Sequence, residues 1–103
     1  MAIAQSTLTT SISSIYTSSG TSAVTTIFFL NNSGATVTFS VLLKVGSGTG
    51  TVAANGILKD VSLIAGDTYI FSAEKIILDT GDQLQAVASA GSAVVTTISY
   101  VGL

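Results

Sequence analysis

Ala35-Thr36-Val37-Thr38-Phe39-Ser40-Val41-Leu42-Leu43-Lys44-Val45 is the stretch that decides the fold. Val37, Phe39, Val41 and Leu43 fall on one side of an extended chain. Thr36, Thr38, Ser40 and Lys44 fall on the other, with Leu42 the exception. Successive side chains of a strand point to opposite faces, so this period of two marks a strand with one buried face. Immediately before it, Asn31-Asn32-Ser33-Gly34 reads as a turn, because Asn and Gly tolerate positive φ. Before the turn, Thr21 to Leu30 ends in Ile27-Phe28-Phe29-Leu30. Four large apolar residues in a row put bulk on both faces. That suits a strand covered on both sides, or on one side by a neighbouring subunit. The turn should join the two strands as an antiparallel hairpin.

The rest of the chain extends the pattern. Ser6 to Thr17 carries widely spaced apolar residues, Leu8, Ile12, Ile15 and Tyr16, and reads as one irregular strand or two short ones. Gly46-Ser47-Gly48-Thr49-Gly50-Thr51 cannot hold a strand well and is expected to be a mobile loop. It lacks the Gly-Lys-Ser/Thr ending of a phosphate-binding loop. Leu63-Ile64-Ala65-Gly66-Asp67 and Leu78-Asp79-Thr80-Gly81-Asp82 share the form Leu-x-x-Gly-Asp. Gly supplies the unusual backbone angle of a tight turn and Asp accepts from nearby amides, which reads as a hairpin signature. Strands are expected at Ile57 to Leu63, Thr68 to Ala73, Lys75 to Leu78, Gln83 to Ala90 and Ala93 to Val101. Ser72-Ala73-Glu74-Lys75 is the most helix-like segment but is too short to nucleate a helix alone.

About eight short strands and no helix argue an all-β fold: a single antiparallel β-sandwich over residues 1–103, of jelly-roll or Greek-key type. The core is expected to hold Val37, Phe39, Val41, Leu43, Val61, Leu63, Tyr69, Phe71, Leu84, Ala86, Ile98 and Tyr100. Residues 1–10 are uncharged and are expected to form an extended N-terminal arm reaching a neighbour.

Composition narrows the functions. Only 8% of the 103 residues are charged, and none of the first 43 is, against roughly 25% in an average soluble protein. Ser and Thr supply 15 positions each. Without Cys there is no disulfide or thiolate site, and without His no Ser-His-Asp triad or imidazole-zinc site. A net charge of -2 without Arg leaves no electrostatic footprint for nucleic acid. No apolar run approaches the roughly 20 residues of a spanning helix, and no secretory signal is visible, so no membrane partner is expected. The aromatics are too few for the girdles of an outer-membrane barrel.

The ionisable residues read as structural. Asp60, Asp67, Glu74, Asp79 and Asp82 are all the acids, and they read as turn aspartates and solvated strand ends. A Ca²⁺ site is the alternative, although no calcium-loop spacing is present. Lys44, Lys59 and Lys75 read as solvated ends or salt-bridge partners, ahead of a Ser-Lys dyad. No catalytic, cofactor-binding or metal-ligating residue is assigned, and no cofactor is expected. Of Tyr16, Tyr69, Tyr100, Phe28, Phe29, Phe39 and Phe71, at least five are expected in the core, and one of Phe28 and Phe29 must face away from it. The interface candidates are therefore Ile27, Phe28, Phe29, Leu30 and Leu42. Lone β domains usually guard their edge strands with charge or Pro, and this chain has no Pro. An obligate homo-oligomer is expected, with a trimer as the first expectation.

Three stretches also resemble the small β-rich virion proteins of tailed bacteriophages. They are Ser14 to Gly20 with Ala23 to Asn31, Leu63 to Tyr69 followed by Glu74 to Leu78, and Gly81 to Ala86 with Val94 to Val101. The resemblance covers nearly the whole chain through turn and strand motifs, without a catalytic fingerprint. It implies a non-enzymatic structural part of the virion, assembled in the host cytoplasm, above all a capsid decoration or cement protein contacting the major capsid protein or other virion proteins. A neck, tail, baseplate or fibre component is the first alternative. A carbohydrate-binding β-sandwich module, with exposed aromatics on one sheet, is the second.

Overall fold

The computed structural model describes residues 2–46, 48–71 and 76–102. Among these, the strands are β1 (Ala2–Thr7), β2 (Ser13–Thr17), β3 (Ser22–Asn31), β4 (Val37–Lys44), β5 (Gly56–Leu63), β6 (Thr68–Phe71), β7 (Ile76–Leu78), β8 (Gln83–Ala88) and β9 (Val94–Gly102). One helical turn, α1 (Val52–Asn55), precedes β5, where no helix was expected. Its N-cap is Thr51, whose hydroxyl accepts from the Ala54 amide at 3.2 Å. The helix-like segment 72–75 lies outside the described residues.

The strands form two packed antiparallel sheets, the all-β sandwich expected from the alternation. One sheet, called A here, runs β1-β9-β3-β6, with β7 pairing further along β3 on the same side as β6. The other, sheet B, runs β2-β8-β4-β5. The run Ser6 to Thr17 is not one strand: it holds the last two residues of β1 in sheet A and the whole of β2 in sheet B, with residues 8–12 between them. Where an extended arm was expected over residues 1–10, Ala2 to Thr7 pair with β9 in unbroken register, from Ala2 opposite Tyr100 to Thr7 opposite Val95. β9 satisfies the backbone groups of Ala2, Ala4 and Ser6, which an unpaired arm would leave to water.

The turns do not make hairpins. Asn31-Asn32-Ser33-Gly34 carries the chain from β3 in sheet A to β4 in sheet B. Both Leu-x-x-Gly-Asp turns also cross between sheets, from β5 to β6 and from β7 to β8. Their local chemistry is as expected: Gly66 and Gly81 stand at φ 76° and 89°. The Asp67 amide donates to Ile64 O at 3.1 Å, and the Asp82 amide to Asp79 O at 3.0 Å. The carboxylate of Asp67 accepts from the Thr68 amide, and that of Asp82 from the amides of Asp79 and Gly46.

The core lies between the sheets. Phe29 of sheet A stacks on Phe39 of sheet B, with ring centroids 4.4 Å apart, and Tyr69 packs edge-on with Phe39 and tilted against Phe29. Of the expected core, Val37, Phe39, Val41, Leu63, Leu84, Ala86 and Ile98 are buried. Leu43, Val61, Tyr69, Phe71 and Tyr100 pack against that core while half-buried. Leu8, Ile15, Val24, Ile27, Phe29, Leu78, Ala88, Ala93 and Val94 complete it.

Asn31 is the polar residue at the centre of one end. It is fully buried, and every group on it is used. Its Nδ2 donates to Ala35 O at 2.7 Å and Leu63 O at 2.9 Å, while Oδ1 accepts from the amide and hydroxyl of Ser33. Its backbone pairs with Asp67 and Gly66. One side chain thus ties the ends of β3 and β5 and the approach to β4.

Candidate interaction surface

Alternation along β3 sorts its apolar run. Ile27 and Phe29 point inward and are fully buried, whereas Phe28 and Leu30 point outward and are exposed. The register then builds a surface around them. Phe28 lies between Ile70 of β6 and Thr97 of β9. Leu30 lies between Thr68 and Val95. Further along β3, Ala23 lies between Ile77 of β7 and Val101 of β9. On the far side of β9, β1 adds Ile3 opposite Ser99 and Gln5 opposite Thr97, where Gln5 Nε2 donates to Thr97 Oγ1 at 3.2 Å. Ile3, Ile70 and Ile77 are 68%, 55% and 64% exposed. These are large values for Ile, a residue type most often buried.

No residue within β1, β3, β6, β7 or β9 carries a charge. The outer face of sheet A is therefore apolar side chains set among Thr, Ser and Gln. A partner placed on it desolvates no ion, and the hydroxyls and amide offer neutral hydrogen bonds. Contiguous exposed apolar surface of this kind marks interaction sites in soluble domains.

The five interface candidates separate accordingly. Phe28 and Leu30 stand together on this face. Ile27 and Phe29 serve the interior of the sandwich. Leu42 lies on the outer side of sheet B and is nevertheless fully buried within the chain. Beside it, the described residues of the Gly-rich connection between β4 and β5 are bonded back onto the sheet and do not form a free loop. Gln83 Nε2 donates to Gly46 O at 2.9 Å and Gln85 Nε2 to Gly48 O at 2.8 Å, while Gln85 Oε1 accepts from the Gly50 amide at 2.8 Å. Gln85 is the register partner of Leu42, and α1 packs on β4 beside them. Ile3, Ile70 and Ile77 belong to the surface but escaped the sequence reading. Their signal is parity: Ile70 stands between the inward Tyr69 and Phe71, and Ile77 between the inward Ile76 and Leu78.

The remaining candidates are placed elsewhere. Asp60 sits at a bulge in β5, where Lys59 and Asp60 together face Ser40. Its φ is 50° and its amide donates to Ser40 Oγ at 3.0 Å. Asp67, Asp79 and Asp82 occupy the two crossover turns, and Glu74 and Lys75 lie outside the described residues. Among the described residues no three acids come together as a metal-binding group. A shallow depression of about 180 Å³ beside the bulge is lined by Thr38, Ser40, Asp60, Val87 and Ser89, well below the usual ligand-pocket range of roughly 300–1,000 Å³. The hydroxyls of Ser40 and Ser89 there already accept backbone amides. Of the aromatics, Phe28 is on the exposed face and the other six pack in or against the core. No described helix is long and apolar enough to cross a membrane.

No protein-family model, no curated protein and no solved structure matches the chain.

Proposed function

We propose that this protein is a non-enzymatic structural component of a bacteriophage virion, a decoration or cement protein of the capsid acting through surface contacts as a homo-oligomer. The observation that carries the reading is the outer face of sheet A: Phe28, Leu30, Ile3, Ile70 and Ile77 exposed on strands without a single charge. Such a face suits lasting burial against another protein. Seated over a junction between capsid subunits, it would bury apolar area, contributing roughly 25 cal/mol per Å² removed from water, and so raise the barrier to subunit separation.

The virion part of the reading rests on the resemblance of the three quoted stretches. The strand order supports the finer fold reading too. With β6 and β7 counted together, four strands face four, and among the described strands only β4 and β5 are both consecutive and paired. This order supports the jelly-roll reading, an architecture shared by capsid domains.

Cryo-EM of the purified particle tests the proposal. The expected result is density for this fold in many copies at capsid-subunit junctions, with sheet A against the shell. Density confined to the neck, tail or fibres would replace the capsid assignment with the first alternative, and absence from the particle would overturn the virion reading.

A further inference from the structure

The two sheets present four edges, and three of them are interrupted. β5 carries Lys59, Asp60 and two register shifts, β2 shifts register between Ser14 and Tyr16, and on the β6/β7 side the two strands pair with β3 in different registers, Ile27 opposite Phe71 but Val24 opposite Ile76. Charges and bulges of this kind are how β proteins stop their edges from pairing. β1 has none of them. It is six residues, Ala-Ile-Ala-Gln-Ser-Thr, with no charge, no Pro and no break in its pairing with β9.

The direction of its backbone groups follows from one hydrogen bond. The Leu8 amide donates to Val94 O at 2.8 Å, so Leu8 faces β9. By alternation Ala2, Ala4 and Ser6 also turn their N–H and C=O groups to β9, and Ile3, Gln5 and Thr7 turn theirs to the open edge.

We infer that this edge pairs with the same edge of a second copy, β1 against β1 about a two-fold axis through Gln5. In that antiparallel register Gln5 meets Gln5 and Ile3 meets Thr7, in both directions. All the outward backbone groups of the three residues then bond, joining the two A sheets into one. A contact across a two-fold axis must be self-complementary. A charged residue on the axis would face its own copy, and the residue here is a neutral amide. Strand addition of this kind takes its affinity from main-chain bonds. It gives a dimer in place of the trimer first expected, and it places the two apolar faces side by side. The inference stands on the edge alone and does not depend on a virion location.

Sedimentation equilibrium of the full chain, with the variants Gln5→Lys and Gln5→Glu, tests it. The wild type should dimerise. Each variant alone should dimerise at least about tenfold more weakly, because like charges then oppose each other on the axis. An equimolar mixture of the two should recover a mixed dimer. Hydrogen exchange of the wild type gives an independent reading. The amides of Ile3, Gln5 and Thr7 should be protected at high concentration and lose protection on dilution, whereas those of Ala4 and Ser6 stay protected throughout. A wild type that stays monomeric at millimolar concentration would overturn the inference. So would a dimer indifferent to both charges, or variants that fail to recover when mixed.

Discussion

Asn31 shows what a single residue holds in this fold. Replacing it by Ala removes the side-chain donor to the buried Leu63 O and one of the two donors to Ala35 O, the other being the Ser33 hydroxyl, and a buried group left unpaired costs about 1–3 kcal/mol. Asn31→Ala should therefore lower unfolding stability by about 2–4 kcal/mol in denaturant titration. Asn32→Ala, at an exposed neighbouring position, should change it by less than about 0.5 kcal/mol. In the core, Phe39→Ala should cost about 3–5 kcal/mol, since it opens the stack with Phe29. The alternation around Phe39 made its burial legible from sequence. The burial of Asn31 was not legible, because an Asn-Asn-Ser-Gly turn looks the same whether its first side chain faces water or three strand ends.

Among the elements, strand positions were legible and their partners were not. A tight turn needs Gly at positive φ and an acceptor for its amides whether it returns a chain beside itself or carries it to a facing sheet. Gly66 with Asp67, and Gly81 with Asp82, meet that need in crossovers. What selects the crossover is burial far along the chain, which no local pattern encodes. The connection from β4 to β5 carries the same lesson. Three glycines suggested mobility, but Gln83 and Gln85, more than thirty residues away, hold it down. Gly56, at the end of α1, has no room for a side chain, because a methyl there would lie 2.5 Å from Val52 O. Gly56→Ala should destabilise the protein by about 1–3 kcal/mol, whereas Gly91→Ala, with open space around it, should be close to neutral. Thermal melts of the two variants side by side would check the contrast.

For the whole molecule, the decisive division lies between sheets. The first 43 residues carry no charge, yet the uncharged strands of sheet A come from both parts of the chain, β1 and β3 from these residues and β6, β7 and β9 from the rest. Ile70 and Ile77 could join Phe28 only through pairing, which explains why the surface was half legible. On the proposed function, Phe28→Asp should leave the melting temperature within a few degrees of wild type and abolish attachment to particles stripped of the protein. Attachment of the wild type should change little with salt, because no charge lies in the strands of this face. Folding is expected in milliseconds to seconds, because β1 must find β9 some ninety residues away. With no Pro in the chain, refolding should lack the slow phase of tens of seconds that proline isomerisation imposes. Stopped-flow refolding would show both. The β1–β9 pair also gives the molecule a mechanical direction. Ala2 and Tyr100 are neighbours, so a pull that separates residue 2 from residue 100 loads the ladder from one end and opens its bonds one after another. A pull along the strands would instead load those bonds together. The protein should therefore yield to gentle peeling at this corner while resisting sliding.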